Sequence, residues 1–153
     1  MSERLKFKPL NIIGIAIRTC NQNQQAAGDI AQLWEQFWSQ DILNKIPDKV
    51  NNDIYCMYTE YESDFAHPYT TLIGCETWDP QNVPEGMRSI SLDGGEYIKQ
   101  IARGKLSEGI VIQEWMKIWQ SDLSRTYKTD FELYKAGSVN PDNAEIDIFV
   151  GVK

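Results

Sequence analysis

The chain has 153 residues, 42% of them hydrophobic and 24% charged, with a formal net charge of −7. That length supports one domain with a core of its own. The acidic balance argues against direct contact with nucleic-acid phosphates and favours cations near the surface.

Three cysteines (Cys20, Cys56, Cys75) in no close-spaced pattern and a single His67 offer no zinc-ligand set, so neither metal nor cofactor is expected. Cys56 and Cys75 lie in apolar runs and are expected to be buried, reduced thiols, as in a reducing cytoplasm. The first five residues lack the apolar segment of a signal peptide, and no run reaches membrane-spanning length. The expected location is therefore cytoplasmic, with no membrane partner.

The β-branched run at residues 10–19 predicts a largely buried strand. After a polar loop at residues 20–25, residues 26–43 carry Ile30, Leu33, Trp34, Phe37 and Trp38, the stripe of an amphipathic helix. Pro47 and Asn51-Asn52 close this unit. Residues 53–62 and 69–78 are strand-like, with His67-Pro68 between them. Asp79-Pro80, Pro84 and Gly86 mark a long connection. Residues 87–102 read as one strand bent at Asp93-Gly94-Gly95. Ser107 is the expected N-cap of a second helix carrying Ile112, Trp115, Met116, Trp119 and Leu123. Residues 130–136 and 144–152 complete the set as two strands around a polar turn with Gly137, Asn140-Pro141 and Asn143.

The order is β-α-β-β twice. Both helices place two tryptophans four apart, Trp34/Trp38 and Trp115/Trp119, and each is followed by a strand opening with Asp and an apolar residue. The expected fold class is α+β: duplicated β-α-β-β units (about residues 7–80 and 85–153 of a single domain) forming one antiparallel sheet. Two helices pack on it about a pseudo-two-fold.

Aligning the halves sets Glu132 against Tyr55. Glu132 stands in Phe131-Glu132-Leu133-Tyr134, where strand alternation puts Glu132 and Tyr134 on one face and Phe131 and Leu133 on the other. A glutamate is rarely buried unless paired. A carboxylate among aromatic rings, however, suits a delocalised cation, because ring quadrupoles and the negative charge act together. The aromatic candidates are Tyr55, Tyr58, Tyr61, Tyr69, Tyr134, Trp34, Trp38, Trp115 and Trp119, with most of the tryptophans expected in core packing. Glu60, Glu62 and Asp64 lack the EF-hand pattern, and no nucleophile-elbow, P-loop, Rossmann or HExxH motif occurs.

With these features in place the chain resembles the GyrI-like small-molecule-binding domains. These are the effector-binding halves of AraC- and MerR-class multidrug-responsive activators, and they also occur alone, including as integron-cassette proteins. The resemblance runs from about residue 10 to the end. It rests on Ile13-Gly14-Ile15-Ala16-Ile17-Arg18-Thr19, Leu33-Trp34-Glu35-Gln36-Phe37-Trp38, the strand at residues 54–62, Pro84-Glu85-Gly86, Gly95-Glu96-Tyr97 and residues 140–148. It departs from the family at Asp93 and at Gly151, where proline is common.

The resemblance implies a ligand site of Glu132, Tyr134, Tyr69, Tyr55, Trp115 and Trp119, to which Trp34 is added from the aromatic candidates, facing a small cationic aromatic compound, with no catalytic residue. The chain begins almost at its first strand, leaving no room for a helix-turn-helix segment, so ligand binding without direct DNA binding is expected. Two other readings stay open: hydrolysis of strained electrophiles using Glu132, and a gyrase-inhibitor-like interaction module working through the acidic surface. A protein partner or homodimer is compatible with each.

Overall fold

The computed structural model describes residues 3–22, 25–63, 66–92, 94–136 and 142–153. Strand β1 (Glu3–Phe7) and strand β2 (Leu10–Thr19) are followed by helix α1 (Gln25–Ser39) and the single turn α2 (Ile42–Lys45). Next come β3 (Ile54–Thr59), β4 (Tyr69–Glu76), β5 (Arg88–Leu92) and β6 (Gly95–Gly104). Helix α3 (Ile110–Trp119), β7 (Arg125–Tyr134) and β8 (Ala144–Val152) end the chain. All eight strands form one antiparallel sheet in the order β1-β6-β8-β7-β3-β4-β2-β5. The α+β class and the repeated strand-helix-strand-strand order expected from the sequence are both present.

Several expectations need correction. The predicted helix at 26–43 ends at Ser39, because Asp41 adopts a left-handed backbone (φ 54°) that an α-helix cannot continue through. The predicted single strand at 87–102 is two strands serving opposite ends of the sheet: β5 pairs with β2, and β6 pairs with β1 and β8. Part of the bend between them, Asp93, lies outside the described residues, as do Gly137, Asn140 and Pro141 of the predicted turn. Ser107 is not an N-cap. It sits in a short 3-10 turn (Leu106–Glu108), and Gly109, at φ 71°, occupies the cap position of α3. Leu123 lies beyond the end of α3, although it still packs against the cluster beneath that helix.

The pairing order dictates the sheet's shape. β1 and β2 are separated only by Lys8 and Pro9, yet they stand six places apart in the sheet. In a flat sheet six spacings span about 29 Å at about 4.8 Å each. Three chain steps reach at most about 11 Å. The same holds for β5 and β6, which are also six places apart in the sheet and three chain steps apart. The sheet therefore curls until its two ends meet, and an ideal Cβ on Gly94 would lie 2.8 Å from Cδ of Pro9, where the two corners touch.

Inside the curl lies an apolar cluster of Ile12, Met57, Leu72, Leu92, Tyr97, Phe131 and Phe149, with Phe7 making edge contacts to Tyr97, Phe131 and Phe149. The other face carries the helices. α1 covers Ile13, Ile15, Cys56, Ile73 and Cys75 with Leu33 and Phe37, while α3 covers Ala102, Ile146, Ile148 and Val150 with Trp115 and Ile118. Cys56 and Cys75 are buried free thiols, as expected. Tyr58 and Tyr134 border both helix-covered clusters and so mark the seam between them.

Candidate functional site

The site forms where β3 and β7 pair beneath that seam. Alternation along Phe131-Glu132-Leu133-Tyr134 holds: Phe131 and Leu133 enter the inner cluster, and Glu132 and Tyr134 face the helices. Glu132 is 2% exposed. Tyr58 Oη donates to its Oε2 at 2.6 Å, Trp115 Nε1 donates to the same oxygen at 2.7 Å, and Tyr134 Oη donates to Oε1 at 2.6 Å. These lengths suit donors bound to an ionised carboxylate. All three donors are neutral, and among the described residues no cation lies at hydrogen-bond distance of Glu132, so the negative charge is held among aromatic rings.

Two effects compete on this carboxyl group. Burial pushes its pKa above the ordinary glutamate value, and hydrogen bonds from Tyr134, Tyr58 and Trp115 pull it part of the way back. The neighbours respond to the buried charge and to their own burial. The Tyr58 and Tyr134 hydroxyls and the Cys56 thiol are all pushed well above their usual values, first by desolvation. They therefore remain protonated donors when Glu132 is ionised.

Above this floor a cleft of about 560 Å³ opens between α1 and α3. One wall is built from small and aliphatic residues of α1 (Ala26, Ala27, Ile30, Ala31) ending at Trp34. The other comes from α3 with Val111, Trp115, Met116 and Trp119, and Tyr58 and Tyr69 form the base. The volume and the mostly apolar lining with few polar groups are those of a small-molecule site. The rings contact one another closely. Tyr58 meets Trp115 edge-on at 5.5 Å and Tyr69 at 6.0 Å, and Trp34 meets Tyr134 at 5.0 Å. Tyr69 Oη donates to Asn21 Oδ1 at 2.7 Å, which fixes that ring at the cleft's edge.

Of the residues singled out from the sequence, Tyr69, Trp34, Trp115 and Trp119 line the cleft, and Glu132 and Tyr134 lie beneath it. Tyr55 does not join them. The β3–β7 register sets Cys56, not Tyr55, opposite Glu132, and Tyr55 opposite Leu133. Directly opposed residues share a face of the sheet, so Tyr55 lies with Leu133 on the inner face and packs on Phe131, its hydroxyl pushed up to about 12 mainly by burial. Tyr58, three residues on, takes the place assigned to it. It was one of the aromatic candidates, but only the pairing of Cys56 with Glu132 brings it forward.

A second buried group supports the floor. Arg125 Nη2 donates to Asp130 Oδ2 at 2.8 Å, Tyr61 Oη donates to the same oxygen at 2.5 Å, and the Gly151 amide donates to Asp130 Oδ1 at 2.8 Å. The Arg125 guanidinium lies over the Tyr127 ring at 4.4 Å and faces Trp115 at 5.9 Å. The amide of Gly151 explains one departure from the family pattern: proline there would remove this donor.

A curled antiparallel sheet with two helices on one face, and a ring-lined cleft between the helices over a buried carboxylate, define a GyrI-like effector-binding domain. The chain belongs to the Cass2 family of integron-associated effector binding proteins, whose model it matches over residues 6–152. Among similar proteins, YobU of Bacillus subtilis (strain 168), which bears the name of a transcriptional regulator, is 28% identical over 144 residues, covering 92% of this chain and 90% of YobU. The crystal structure of an integron cassette protein from the mobile metagenome of Vibrio cholerae is 27% identical, with a TM-score of 0.75, over 99% of this chain and 95% of that one. The structure of SAV2435 bound to tetraphenylphosphonium shares the fold at 16% identity, with a TM-score of 0.80, over 100% of this chain and 94% of that one. The family is one of effector binding, and the chain is accordingly a small-molecule-binding protein. Among the described residues, no helix is long and apolar enough to cross a membrane.

Proposed function

We propose that this protein captures aromatic cations in the cleft between α1 and α3, with Glu132 supplying the counter-charge and Tyr58, Tyr69, Trp34, Trp115 and Trp119 supplying the faces. The observation that carries this reading is a carboxylate 2% exposed, held by three neutral donors, directly beneath an apolar cleft. A negative charge kept out of water, with no partner cation among the described residues, favours an incoming positive charge. Each ring face adds about 0.5–2 kcal/mol toward a desolvated cation. That SAV2435, with the same fold, is bound to tetraphenylphosphonium supports the same ligand class here.

The same geometry supports capture without turnover. Both oxygens of Glu132 are engaged by side-chain donors, which leaves the carboxylate poorly placed to activate a water molecule for attack on a substrate. The cellular role in this reading is that of a sequestrant or sensor in the cytoplasm, reporting through a protein partner. Titration with tetraphenylphosphonium, followed by tryptophan fluorescence, tests the proposal. Saturable quenching at one site per chain is expected, and the absence of any saturable change would overturn it.

A further inference from the structure

Resting on that reading, we infer that the cleft selects cations without hydrogen-bond donors, such as quaternary or fully alkylated aromatic cations, over equally charged compounds bearing N–H groups. A carboxylate offers about four lone-pair positions. In Glu132 three are taken, and the two on Oε2 are taken by the residues that line the cleft, Tyr58 and Trp115. The oxygen with capacity left, Oε1, is bonded by Tyr134, which lies behind Trp34 and does not line the cleft.

The remaining walls offer little in exchange. Ala26, Ala27, Ile30, Ala31, Val111 and Met116 present no side-chain oxygen or nitrogen, and indole N–H groups only donate. The Asn21 carbonyl already accepts from Tyr69, and the phenol oxygens of Tyr58 and Tyr69 are neutral acceptors fixed by the bonds they donate. An ammonium or amino-aryl cation entering the cleft therefore gives up water-bound N–H groups and meets the charge of Glu132 without an open lone pair facing the cleft. A donor-free cation experiences the same field and leaves no donor unsatisfied. The three donors thus act as a filter: they keep Glu132 charged while withholding its lone pairs.

Methylene blue and thionin test this directly. Both are phenothiazinium monocations on the same tricyclic ring, but thionin carries four N–H bonds and methylene blue none. The wild-type protein should bind methylene blue at least about tenfold more tightly, the scale set by one unsatisfied donor. Extra methyl area also favours methylene blue, so the deciding result is the ratio in Tyr58→Phe. That change keeps the ring and opens a lone pair of Oε2 to the cleft, and the ratio should shrink by about fivefold or more. Trp115→Phe opens the same oxygen and carries the same expectation should Tyr58→Phe fail to fold. Tyr134→Phe opens Oε1 away from the cleft and should alter both affinities alike, keeping the ratio.

An unchanged ratio in Tyr58→Phe and Trp115→Phe, or a preference for thionin in the wild type, overturns the inference. If neither dye binds while tetraphenylphosphonium still quenches, only the inference falls. If all three fail, the proposed function falls with it.

Discussion

Replacing Glu132 with glutamine isolates the charge from the shape of the site. The carboxamide is nearly isosteric. Its oxygen can keep accepting from Tyr58 and Trp115, while its NH2 group faces the Tyr134 hydroxyl, which can turn to accept. The fold should survive, with a stability change of about 1 kcal/mol in either direction, because a lost charge-assisted bond is offset by relief of desolvation. Ligand binding is different. A cation resting on Tyr58 and Trp115 would sit roughly 7 Å from the carboxylate, where a unit charge pair at an effective dielectric of about 20 is worth about 2.4 kcal/mol. Affinity for a cationic dye should therefore fall by about 50-fold. Affinity for a neutral aromatic of similar size should hardly move. Fluorescence titration of both proteins with both ligands measures this, with melting curves to confirm folding. Equal loss for the neutral and cationic ligands, or no loss for the cation, would refute the electrostatic reasoning.

Binding should also depend on pH in a defined direction. Burial raises the pKa of Glu132, so cation affinity should increase as pH rises through a window above the ordinary glutamate range, and Glu132→Gln should flatten that rise. The linked stability has the opposite slope. Between the unfolded and folded pKa values the folded state holds the extra proton, so this residue's contribution is fully present at low pH and is lost as pH rises; urea melts of wild type and Glu132→Gln across pH would show it. Removing one member of the buried pair, as in Arg125→Leu, should destabilise by about 3–5 kcal/mol because Asp130 is left buried without its cation, read as a large drop in melting temperature. Gly14→Ala or Gly74→Ala should abolish soluble expression, since an ideal Cβ at either would lie 2.0 Å from the carbonyl oxygen of the facing strand, and neither backbone can retreat without breaking the β2–β4 ladder.

The parts of this structure that were legible in the sequence are those fixed by local periodicity. The run of β-branched residues at β2 gives a strand with the expected bounds, and alternation along β7 places Glu132 and Tyr134 on one face. What was not legible depends on pairing between distant segments. β1 is a short edge strand whose exposed residues Glu3, Arg4 and Lys6 carry no apolar signal, and only its partner β6 makes it a strand. The continuous strand expected at residues 87–102 had to divide because the sheet curls and its two parts serve opposite ends. The resemblance assigns Tyr55 to the site, but Tyr55 pairs with Leu133 and so shares the inner face with Leu133 and Phe131, while alternation turns Tyr58 toward the helices, where it bonds Glu132. The cleft's small wall, Ala26, Ala27 and Ala31, is likewise invisible until α1 is set opposite α3.

The central claim is that the cleft reads positive charge through a sequestered carboxylate. Tetraphenylphosphonium and tetraphenylborate, nearly identical in shape and opposite in sign, test it most directly in parallel fluorescence titrations. The cation should bind at least about a hundredfold more tightly than the anion, with the gap narrowing in Glu132→Gln. Comparable affinity for both ions in the wild-type protein would contradict the account.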